Sequence, residues 1–408
     1  MTNSSHHASQ FRRRLTQMSS MVRQRDYHDM AKRVSRRAYR ATGASSLEFP
    51  LLSQDVCDSR TVTWKLPDSR PAPGSKLTIA WIMVPPAGGS GGHTTIFRMI
   101  EALEAAGHEC IVYLYEKNST PAAFHQAVIR DHWPRIKAAV VDIEDGLTES
   151  DAFVATSWES AHVLGSRGAA VPGERLYFVQ DFEPFFYPRG SEYALAEDTY
   201  RFGFQCIAIG HMVADLVRPY AQVSALEFSC DTAVYKLMGE SDRSGIVVYA
   251  RPDTPRRGTT LAMLALSEFH RLRPTETIHV FGDIPDSSPF PILAHPRVSP
   301  ATLAGLYNET FGGLAMSFTN ISLVVEEMLA CGAVPIVNDS PYARADMPST
   351  SVRWAAPTPS AIAAELVKLV DSPNPREQAS AAAASIRTDN WMSAKQRIVE
   401  LIEAQVYG

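Results

Sequence analysis

The sequence predicts an α/β protein in which two Rossmann-like domains face each other across a cleft. Two observations lead to this prediction. Short apolar runs alternate with amphipathic helical patterns, as expected for parallel strands covered by helices on both faces, and the alternation stops at the polar segment 236–245 and then starts again. The predicted domains are residues 76–240 and 241–385. An arm and linker (1–75) precede them, and a C-terminal helix (386–408) is expected to pack back across both.

Length and composition indicate a globular protein of more than one domain. The chain has 408 residues, 45% hydrophobic and 20% charged, which is too long for one ordinary core. Its five cysteines are scattered and lack a Cys-x-x-Cys pair, so neither a disulfide framework nor a zinc site is expected. No apolar run approaches the roughly 18 residues of a membrane span, and the N-terminus lacks the apolar core of a signal peptide. We therefore expect a cytoplasmic protein.

The N-terminal arm differs in charge from the rest of the chain. Residues 11–40 contain ten Lys or Arg against Asp26 and Asp29, although the whole chain has a net charge of −5. Apolar residues in the arm recur at helical spacing, which predicts a basic helical arm that binds anionic lipid as a peripheral protein at the inner face of the membrane. The alternative is a solvated tail. Nucleic acid is not an expected partner, because the remaining chain is acidic and no base-reading motif follows.

The first predicted strand, 77–84, ends in a glycine-rich loop that leads into a predicted helix at 94–107. Glycines there allow close approach to the main chain, and the amides at the start of the helix attract anions. The alternative is that the glycines serve turn geometry alone. We assign four loop residues to phosphate binding: Gly89, Gly91, Gly92 and His93.

The loop departs from the dinucleotide-binding fingerprint. Counted from Gly89, the last glycine position of that pattern is occupied by Thr94. Glu116 follows the next predicted strand, at a place where an acidic residue holds the ribose of a nicotinamide dinucleotide. A nicotinamide cofactor thus stays open as an alternative.

A second loop in the first domain has the composition of a sugar site. The remaining strands predicted there are 109–115, 138–143, 151–156, 175–180 and 206–210, with helices at 121–133 and 190–203. Carboxylates bind pairs of hydroxyl groups, and aromatic faces cover the apolar side of a pyranose ring. The loop after strand 175–180 offers both residue types: Gln180, Asp181, Glu183, Phe185, Phe186 and Tyr187. Alternatively, Glu183 pairs with Arg189 and the aromatic rings are core.

The second domain places arginines after its first strand. Its predicted strands are 245–250, 277–283, 313–319, 334–339 and 351–356, with helices at 258–272 and 322–332 and a last helical pattern from about residue 386. Arg251, Arg256 and Arg257 follow strand 245–250. Guanidinium groups bind phosphate oxygens through paired hydrogen bonds, so these residues suit a diphosphate. An arginine-rich surface loop is the alternative.

The segment Glu-Met-Leu-Ala-Cys-Gly at 327–332, followed by Pro335, resembles the signature of retaining glycosyltransferases with the two-domain GT-B fold, especially family four. The loop with Gln180, Asp181 and Glu183 is similar to a segment of WsaF-type rhamnosyltransferases of bacterial surface polysaccharide assembly. The resemblance covers residues 77–340.

This resemblance implies roles for residues of the second domain. Glu327 would bind the nucleotide ribose in its ionised form, whereas Glu326 would point about 100° away on the helix. Thr319 stands where the family has its first glutamate, so Thr319, Asn320 and the helix start at Ser322 would contact the donor instead. Neither a metal nor another cofactor is implied.

The expected function is transfer of a sugar with retention, L-rhamnose from dTDP-L-rhamnose being the leading choice, to a glycan or lipid-linked glycan of the cell surface. We assign catalysis to Asp181, Glu183 and Arg251, and the acceptor or sugar wall to Gln180, Phe185 and Tyr187. Two alternatives stay open. One is an NAD-dependent nucleotide-sugar dehydrogenase or epimerase, and the other is a non-catalytic GT-B scaffold in polysaccharide assembly.

Overall fold

The structure, a computed structural model, describes residues 49–117, 120–239, 242–285, 287–296, 298–386 and 391–408, together with residue 35. Residues 55–408 form one compact unit. The arm predicted at 11–40 lies, apart from residue 35, outside the described residues.

The first half of the chain forms a seven-stranded parallel sheet in the order β3-β2-β1-β4-β5-β6-β7. The strands are β1 (Thr78–Met83), β2 (Glu109–Leu114), β3 (Ala139–Asp142), β4 (Ala152–Ala155), β5 (Glu174–Val179), β6 (Gln205–Ile209) and β7 (Val223–Leu226). Every residue of β4 and β5 is buried. Helices cover both faces of a parallel sheet, which is why its central strands read as continuous apolar runs.

Within residues 77–226 of the described chain, five helices lie between these strands. They are α1 (Gly91–Ala105), α2 (Ala122–His132), α3 (Trp158–Arg167), α4 (Ser191–Thr199) and α5 (His211–Val217), with short 3-10 turns at Ile143–Asp145 and Glu183–Phe186. Ser90 caps α1 and Ser157 caps α3 through their side-chain oxygens. Such caps satisfy backbone N–H groups that have no partner inside the helix.

The second half forms a six-stranded parallel sheet in the order β10-β9-β8-β11-β12-β13. The strands are β8 (Ile246–Ala250), β9 (Ile278–Gly282), β10 (Leu293–His295), β11 (Gly312–Leu314), β12 (Val334–Asn338) and β13 (Arg353–Ala355). Its helices are α6 (Thr259–Leu272), α7 (Pro300–Glu309), α8 (Leu323–Ala330), α9 (Pro341–Ala345), α10 (Pro359–Val370) and α11 (Pro375–Ala384), and a 3-10 turn spans Pro255–Arg257.

The C-terminal helix α12 (Met392–Tyr407) returns to the first sheet and packs on α1. Its apolar residues Ile398, Ile402 and Val406 are buried in the same core as Leu103 of α1. The chain therefore crosses back from the second half to the first.

Both sheets have the doubly wound strand order of Rossmann-like domains. In the first sheet, strands β2 and β3 lie on one side of β1 and strands β4 to β7 lie on the other. In the second sheet, β9 and β10 lie on one side of β8, and β11 to β13 lie on the other. The order reverses between β1 and β4, and again between β8 and β11. Loops at the carboxyl ends of strands beside such a reversal form the ligand crevice of this fold class.

The structure differs from the sequence expectation at the sheet edges. Strands β7 and β10 were not predicted, because their side chains are partly exposed and form no apolar run. The strand predicted at 313–319 ends at Leu314, and residues 315–322 form a loop with buried polar groups. Among the described residues, no helix is both long enough and apolar enough to cross a membrane.

Candidate functional site

Loops at the carboxyl edges of the two sheets meet at one place. The loop after β5 contributes residues 180–187, the loop after β8 contributes 251–258, and the loop after β11 contributes 315–322. Contacts join all three loops, so residues far apart in sequence form one candidate site.

Thr319 and Asp181 make the central contact. The Thr319 hydroxyl donates a 2.8 Å hydrogen bond to Asp181 Oδ2, while Asp181 Oδ1 accepts the N–H of Phe182 at 2.9 Å. Asp181 is 6% exposed and Thr319 is 1% exposed. The Thr319 hydroxyl is thus bound to a carboxylate and shielded from solvent, and its expected contact with a donor sugar stays a prediction.

Two guanidinium groups surround the Asp181 carboxylate. Arg256 Nε lies 3.8 Å from Asp181 Oδ2, and its guanidinium stacks 3.9 Å from the ring centre of Phe186. Arg257 donates from Nη1 to Ser317 Oγ at 3.1 Å. Burial raises the pKa of Asp181, whereas Arg257, Thr319 and Arg256 oppose that rise. Arg256 Nε is buried and has no hydrogen-bond partner among the described residues, which leaves it a donor group without an acceptor.

Asn320 joins the two halves a second time. Its Nδ2 donates to the backbone oxygen of Gln180 at 2.9 Å. The loop around it is held by Asn338, whose side chain exchanges two hydrogen bonds with the backbone of Ser317 at 2.7 and 2.6 Å. Sequence reasoning missed Ser317 and Asn338. The sequence did contain one signal for Asn338: it is a polar residue at the carboxyl end of β12, and β12 lies beside β11, the strand that precedes this loop.

The glycine loop forms the start of α1, and His93 fixes its shape. His93 Nε2 lies 3.2 Å from the carbonyl oxygen of Val84, and Nδ1 lies 2.8 Å from Ser90 Oγ. Because a carbonyl only accepts, we assign the proton to Nε2, so that Nδ1 accepts from the Ser90 hydroxyl. Burial lowers the pKa of His93, in keeping with a neutral ring. Both ring nitrogens are thus used inside the loop, and a contact between His93 and the donor stays a prediction.

The predicted glycines differ in what they allow. Gly89 has a φ of 80°, a conformation that favours glycine. Gly92 lies beside Gln180, whose amide atoms would be 3.6–3.7 Å from an added Cβ. Gly91 has open space around it. The backbone at the start of α1 is therefore approachable, as an anion site requires.

Glu183 is enclosed by hydrogen-bond donors of the first half of the chain, and its assignment to catalysis stays a prediction. It is 7% exposed, and its Oε2 accepts hydrogen bonds from the backbone N–H of Trp158 and, at 3.0 Å, from the Tyr177 hydroxyl. Its own backbone N–H donates to the Tyr200 hydroxyl at 3.2 Å. Burial and the nearby carboxyl of Glu159 raise the pKa of Glu183 well above its usual range. All of these partners belong to the first half of the chain.

Of the aromatic residues in the same loop, Tyr187 packs against the first half of the chain and Phe185 packs against both halves. Tyr187 accepts the indole N–H of Trp158 at 3.1 Å. Phe185 contacts Phe182, with ring centres 4.9 Å apart, and also Tyr342 of α9 at 5.5 Å. The side chain of Tyr342 is 38% exposed. Phe185 and Tyr342 thus form an accessible aromatic pair shared by the two halves, and the sequence did not point to Tyr342.

Arg251 lies directly after β8, as predicted, but outside the Asp181 cluster. Its Nε donates to the Tyr249 hydroxyl at 3.0 Å, and its Nη1 lies 3.5 Å from Asp283 Oδ2. The side chain is 40% exposed. No hydrogen bond or ion pair joins Arg251 to Asp181 within the described part of the chain.

Glu326 and Glu327 have different surroundings on α8, which Ser322 caps. Glu326 is 7% exposed and accepts the backbone N–H of Cys230 at 2.7 Å. Burial raises the pKa of Glu327 to about 7, against the opposing charge of Arg98. The expected ribose contact of an ionised Glu327 stays a prediction, and its raised pKa opposes full ionisation at neutral pH.

Comparisons with known proteins agree with this architecture. Residues 112–211 match the family model described as "WsaF, N-terminal domain", a stretch that runs from β2 to the start of α5. The chain is 30% identical over 266 residues to the O-antigen biosynthesis protein RfbC of Myxococcus xanthus. That match covers 62% of this chain but 21% of the relative, so the chain spans about a fifth of the relative's length.

Solved structures show the fold. Sucrose-phosphate synthase from Thermosynechococcus elongatus matches with a TM-score of 0.60 and 12% identity, covering 81% of this chain and 99% of that one. Anabaena HepE in complex with UDP-glucose matches with a TM-score of 0.60 and 13% identity, and the match covers 80% of this chain and 100% of that one. WaaG, a glycosyltransferase involved in lipopolysaccharide biosynthesis, matches with a TM-score of 0.56 and 14% identity, and the match covers 79% of this chain and 99% of that one. The predicted GT-B fold is confirmed.

Proposed function

We propose that the chain is a glycosyltransferase of bacterial surface polysaccharide assembly, which moves a sugar from a nucleoside diphosphate donor to a growing glycan. The observation that supports it best is the cluster of Asp181, Thr319, Arg256 and Arg257 at the carboxyl ends of β5, β8 and β11, the last two of which flank the strand-order reversal of the second sheet. Open α/β sheets bind ligands at such a reversal. The relatives in O-antigen and lipopolysaccharide biosynthesis favour the same reaction class.

The donor diphosphate fits the basic side of this site. Arg251, Arg256 and Arg257 supply positive charge after β8, and α8 begins at Leu323, directly after the loop that carries Thr319 and Asn320, so its first backbone amides are the proposed second contact with the diphosphate. Arg256 Nε, which is buried without a partner among the described residues, would gain an acceptor from a phosphate oxygen. Such fixed charges stabilise the negative charge that develops on the leaving diphosphate.

Asp181 is the proposed catalytic carboxylate. Thr319 occupies the position of the glutamate that the family of resemblance uses, and Asp181 places a carboxylate 2.8 Å from the Thr319 hydroxyl. There it can bind a sugar hydroxyl and stabilise positive charge on the anomeric carbon as the bond to the diphosphate breaks. In a retaining transfer the acceptor oxygen bonds to the anomeric carbon on the departing face, and its proton passes to a diphosphate oxygen. We propose L-rhamnose and a dTDP donor as the specific substrates.

The aromatic pair Phe185 and Tyr342 is the proposed acceptor wall. Their rings lie beside the loop that contains Asp181, and Tyr342 is accessible. Aromatic faces suit the apolar side of a pyranose ring. A glycan stacked there would present its terminal hydroxyl toward Asp181 and Gln180.

A non-catalytic scaffold is the second candidate. The observation that favours it is the Thr319 hydroxyl, which is buried and already bound to Asp181 where a donor sugar would otherwise be contacted. The nicotinamide alternative has less support, because the glycine loop departs from the dinucleotide fingerprint at Thr94 and because arginines face the crevice.

Purified protein incubated with a panel of nucleotide sugars separates these functions. We expect thermal stabilisation by a thymidine or uridine diphosphate, and release of nucleoside diphosphate from one activated sugar. A ligand at 100 times its Kd adds about 2.7 kcal/mol of stability. Binding without turnover of any donor would favour the scaffold, and stabilisation by NAD alone would favour the dehydrogenase.

A further inference from the structure

A second cavity lies at the opposite edge of the first sheet from Asp181. Its volume is about 400 Å3, within the range of about 300–1,000 Å3 typical of small-molecule sites. It is formed beside the amino-terminal ends of β5, β6 and β7. Six residues that line it are Trp64, Leu66, Gln205, Tyr220, Gln222 and Gln405.

The indole of Trp64 is held in a fixed position. Backbone hydrogen bonds from Lys65 to Ala169 and from Gly173 to Lys65 fix the residue that follows Trp64. The Trp64 ring packs edge to face on Phe204, with centres 5.3 Å apart. At Gly203, which has a φ of 82°, an added Cβ would lie 2.9 Å from the indole. Only glycine therefore permits this ring position, and the cavity has a rigid aromatic wall.

Three side-chain amides line the same cavity. Gln405 is oriented by a 2.9 Å hydrogen bond from its Nε2 to Glu174 Oε2, which leaves its amide oxygen for another donor. Gln205 Nε2 makes a long contact of 3.4 Å to the backbone oxygen of Cys206, and Gln222 is exposed. A side-chain amide both donates and accepts hydrogen bonds. It therefore suits a ligand with adjacent hydroxyl groups, which also donate and accept.

The charges around the cavity are already compensated. Arg175, 2% exposed, donates through its Nη atoms to the backbone oxygens of Gly173, Gly168 and Val171 at 2.6–2.8 Å. Glu174 receives Gln405 and lies 4.0 Å from Arg70. Arg175 Nε has no hydrogen-bond partner among the described residues, but this atom is buried and so is not offered to a ligand. The lining selects a neutral ligand that has both hydroxyl groups and an apolar face.

We propose that this cavity is a second saccharide-binding site. The saccharide class follows from the indole and the amides, and it does not depend on the proposed transfer reaction. β5 lies between the cavity and the loop that contains Asp181, and its six residues span about 17 Å at about 3.3 Å per residue. The link to the acceptor does rest on the proposed function: a glycan long enough to reach both sites gains affinity, because its second contact is intramolecular.

The test is calorimetric titration of the full chain, without donor, with methyl α-L-rhamnoside, methyl β-D-glucoside and methyl β-D-galactoside. α-D-Glucose 1-phosphate is the charged probe. Gln222→Ala removes one amide from the cavity and leaves the fold intact, because that side chain is exposed. Gln396→Ala, an exposed amide on α12, is the matched control. Tyr342→Ala reports any binding at the acceptor wall instead.

We expect saturable binding of at least one neutral glycoside, at least tenfold weaker in Gln222→Ala and unchanged in Gln396→Ala. Absence of binding to every neutral glycoside overturns the proposal, as does binding that Gln222→Ala leaves unchanged or a preference for the phosphate. If the protein binds glycosides here but turns over no donor, the second saccharide site stands and only the proposed glycosyltransferase function is contradicted.

Discussion

The Thr319 hydroxyl donates to Asp181 across 138 residues of sequence, and this 2.8 Å hydrogen bond joins the loop after β11 to the loop after β5. The family of resemblance supplies a carboxylate from the position of Thr319 itself. Here the carboxylate at that contact comes from the other sheet. Its position then depends on how the two halves of the chain pack together.

Asp181→Asn should lower sugar transfer by about 100- to 1,000-fold, the scale observed when one preorganised electrostatic group is removed from an active site. The amide retains the shape, but its single oxygen can accept from Thr319 or from the Phe182 N–H and not from both, so the free energy of unfolding should also fall, by about 1–3 kcal/mol. Steady-state kinetics and thermal unfolding measure the two effects. Transfer at the normal rate would exclude Asp181 from catalysis. Thr319→Ser, which preserves the hydroxyl, should be much milder than Thr319→Val.

Arg251→Ala should raise the donor KM or lower turnover by about 10- to 100-fold, as expected for loss of one charge-assisted hydrogen bond of about 1.5–3 kcal/mol. Stability should change less, because the side chain is 40% exposed. Arg218→Ala is the matched control, since Arg218 is 62% exposed and pairs with Asp215 on the surface. Equal kinetics for both variants would remove Arg251 from the donor site.

Glu326→Ala should lower stability, whereas Glu327→Ala should weaken donor binding. Loss of Glu326 leaves the Cys230 N–H buried without its acceptor and should lower the free energy of unfolding by about 1–3 kcal/mol. Loss of Glu327 should weaken donor binding by about 1.5–3 kcal/mol for each ribose hydrogen bond. Chemical unfolding and nucleotide titration test this pair. Weaker nucleotide binding in Glu326→Ala than in Glu327→Ala would shift the ribose contact to Glu326.

The pKa of Glu327 predicts a pH effect on stability. Because burial raises this pKa from 4.5 to about 7, the folded protein binds a proton that the unfolded chain releases, so the contribution to stability is complete below pH 4.5 and is lost as pH rises to about 7. The loss is at most about 3 kcal/mol, since one pKa unit corresponds to about 1.4 kcal/mol. Glu327→Gln should flatten the unfolding free energy over this window. An unchanged slope would contradict the assignment.

Tyr342→Ala should raise the acceptor KM about five- to tenfold, because it removes one face of the aromatic pair with Phe185, and stacking of this kind contributes about 0.5–1.5 kcal/mol. Donor hydrolysis without acceptor should be unchanged. Leu264→Ala, at a residue of α6 that is 56% exposed, controls for loss of an exposed apolar side chain. An effect on donor hydrolysis equal to that on transfer would place Tyr342 at the donor instead.

Deletion of residues 1–45 should abolish binding to anionic vesicles while leaving transfer to a soluble acceptor intact. The arm contains ten basic residues between 11 and 40, and each one near an anionic surface contributes about 1 kcal/mol before screening. Cosedimentation with phosphatidylserine vesicles at low and high salt measures this. Binding that survives the deletion, or that salt does not weaken, would show that the arm has no such role.

The sequence by itself determined the fold class and the loops that form the site. Buried parallel strands must be apolar throughout, so the runs around β1, β5 and β8 were visible, and the carboxyl-terminal loops of such strands were predictable ligand positions. The edge strands β7 and β10 escaped, because partly exposed side chains give no such run.

The tertiary structure alone decided which loop residues face the crevice. Asp181 and Glu183 are two positions apart, yet one accepts from Thr319 of the other sheet and the other is enclosed by Trp158 and Tyr177. A carboxylate's role depends on which hydrogen-bond donors surround it and whether water reaches it. Those donors come from segments distant in sequence, and only packing of the two sheets brings them together.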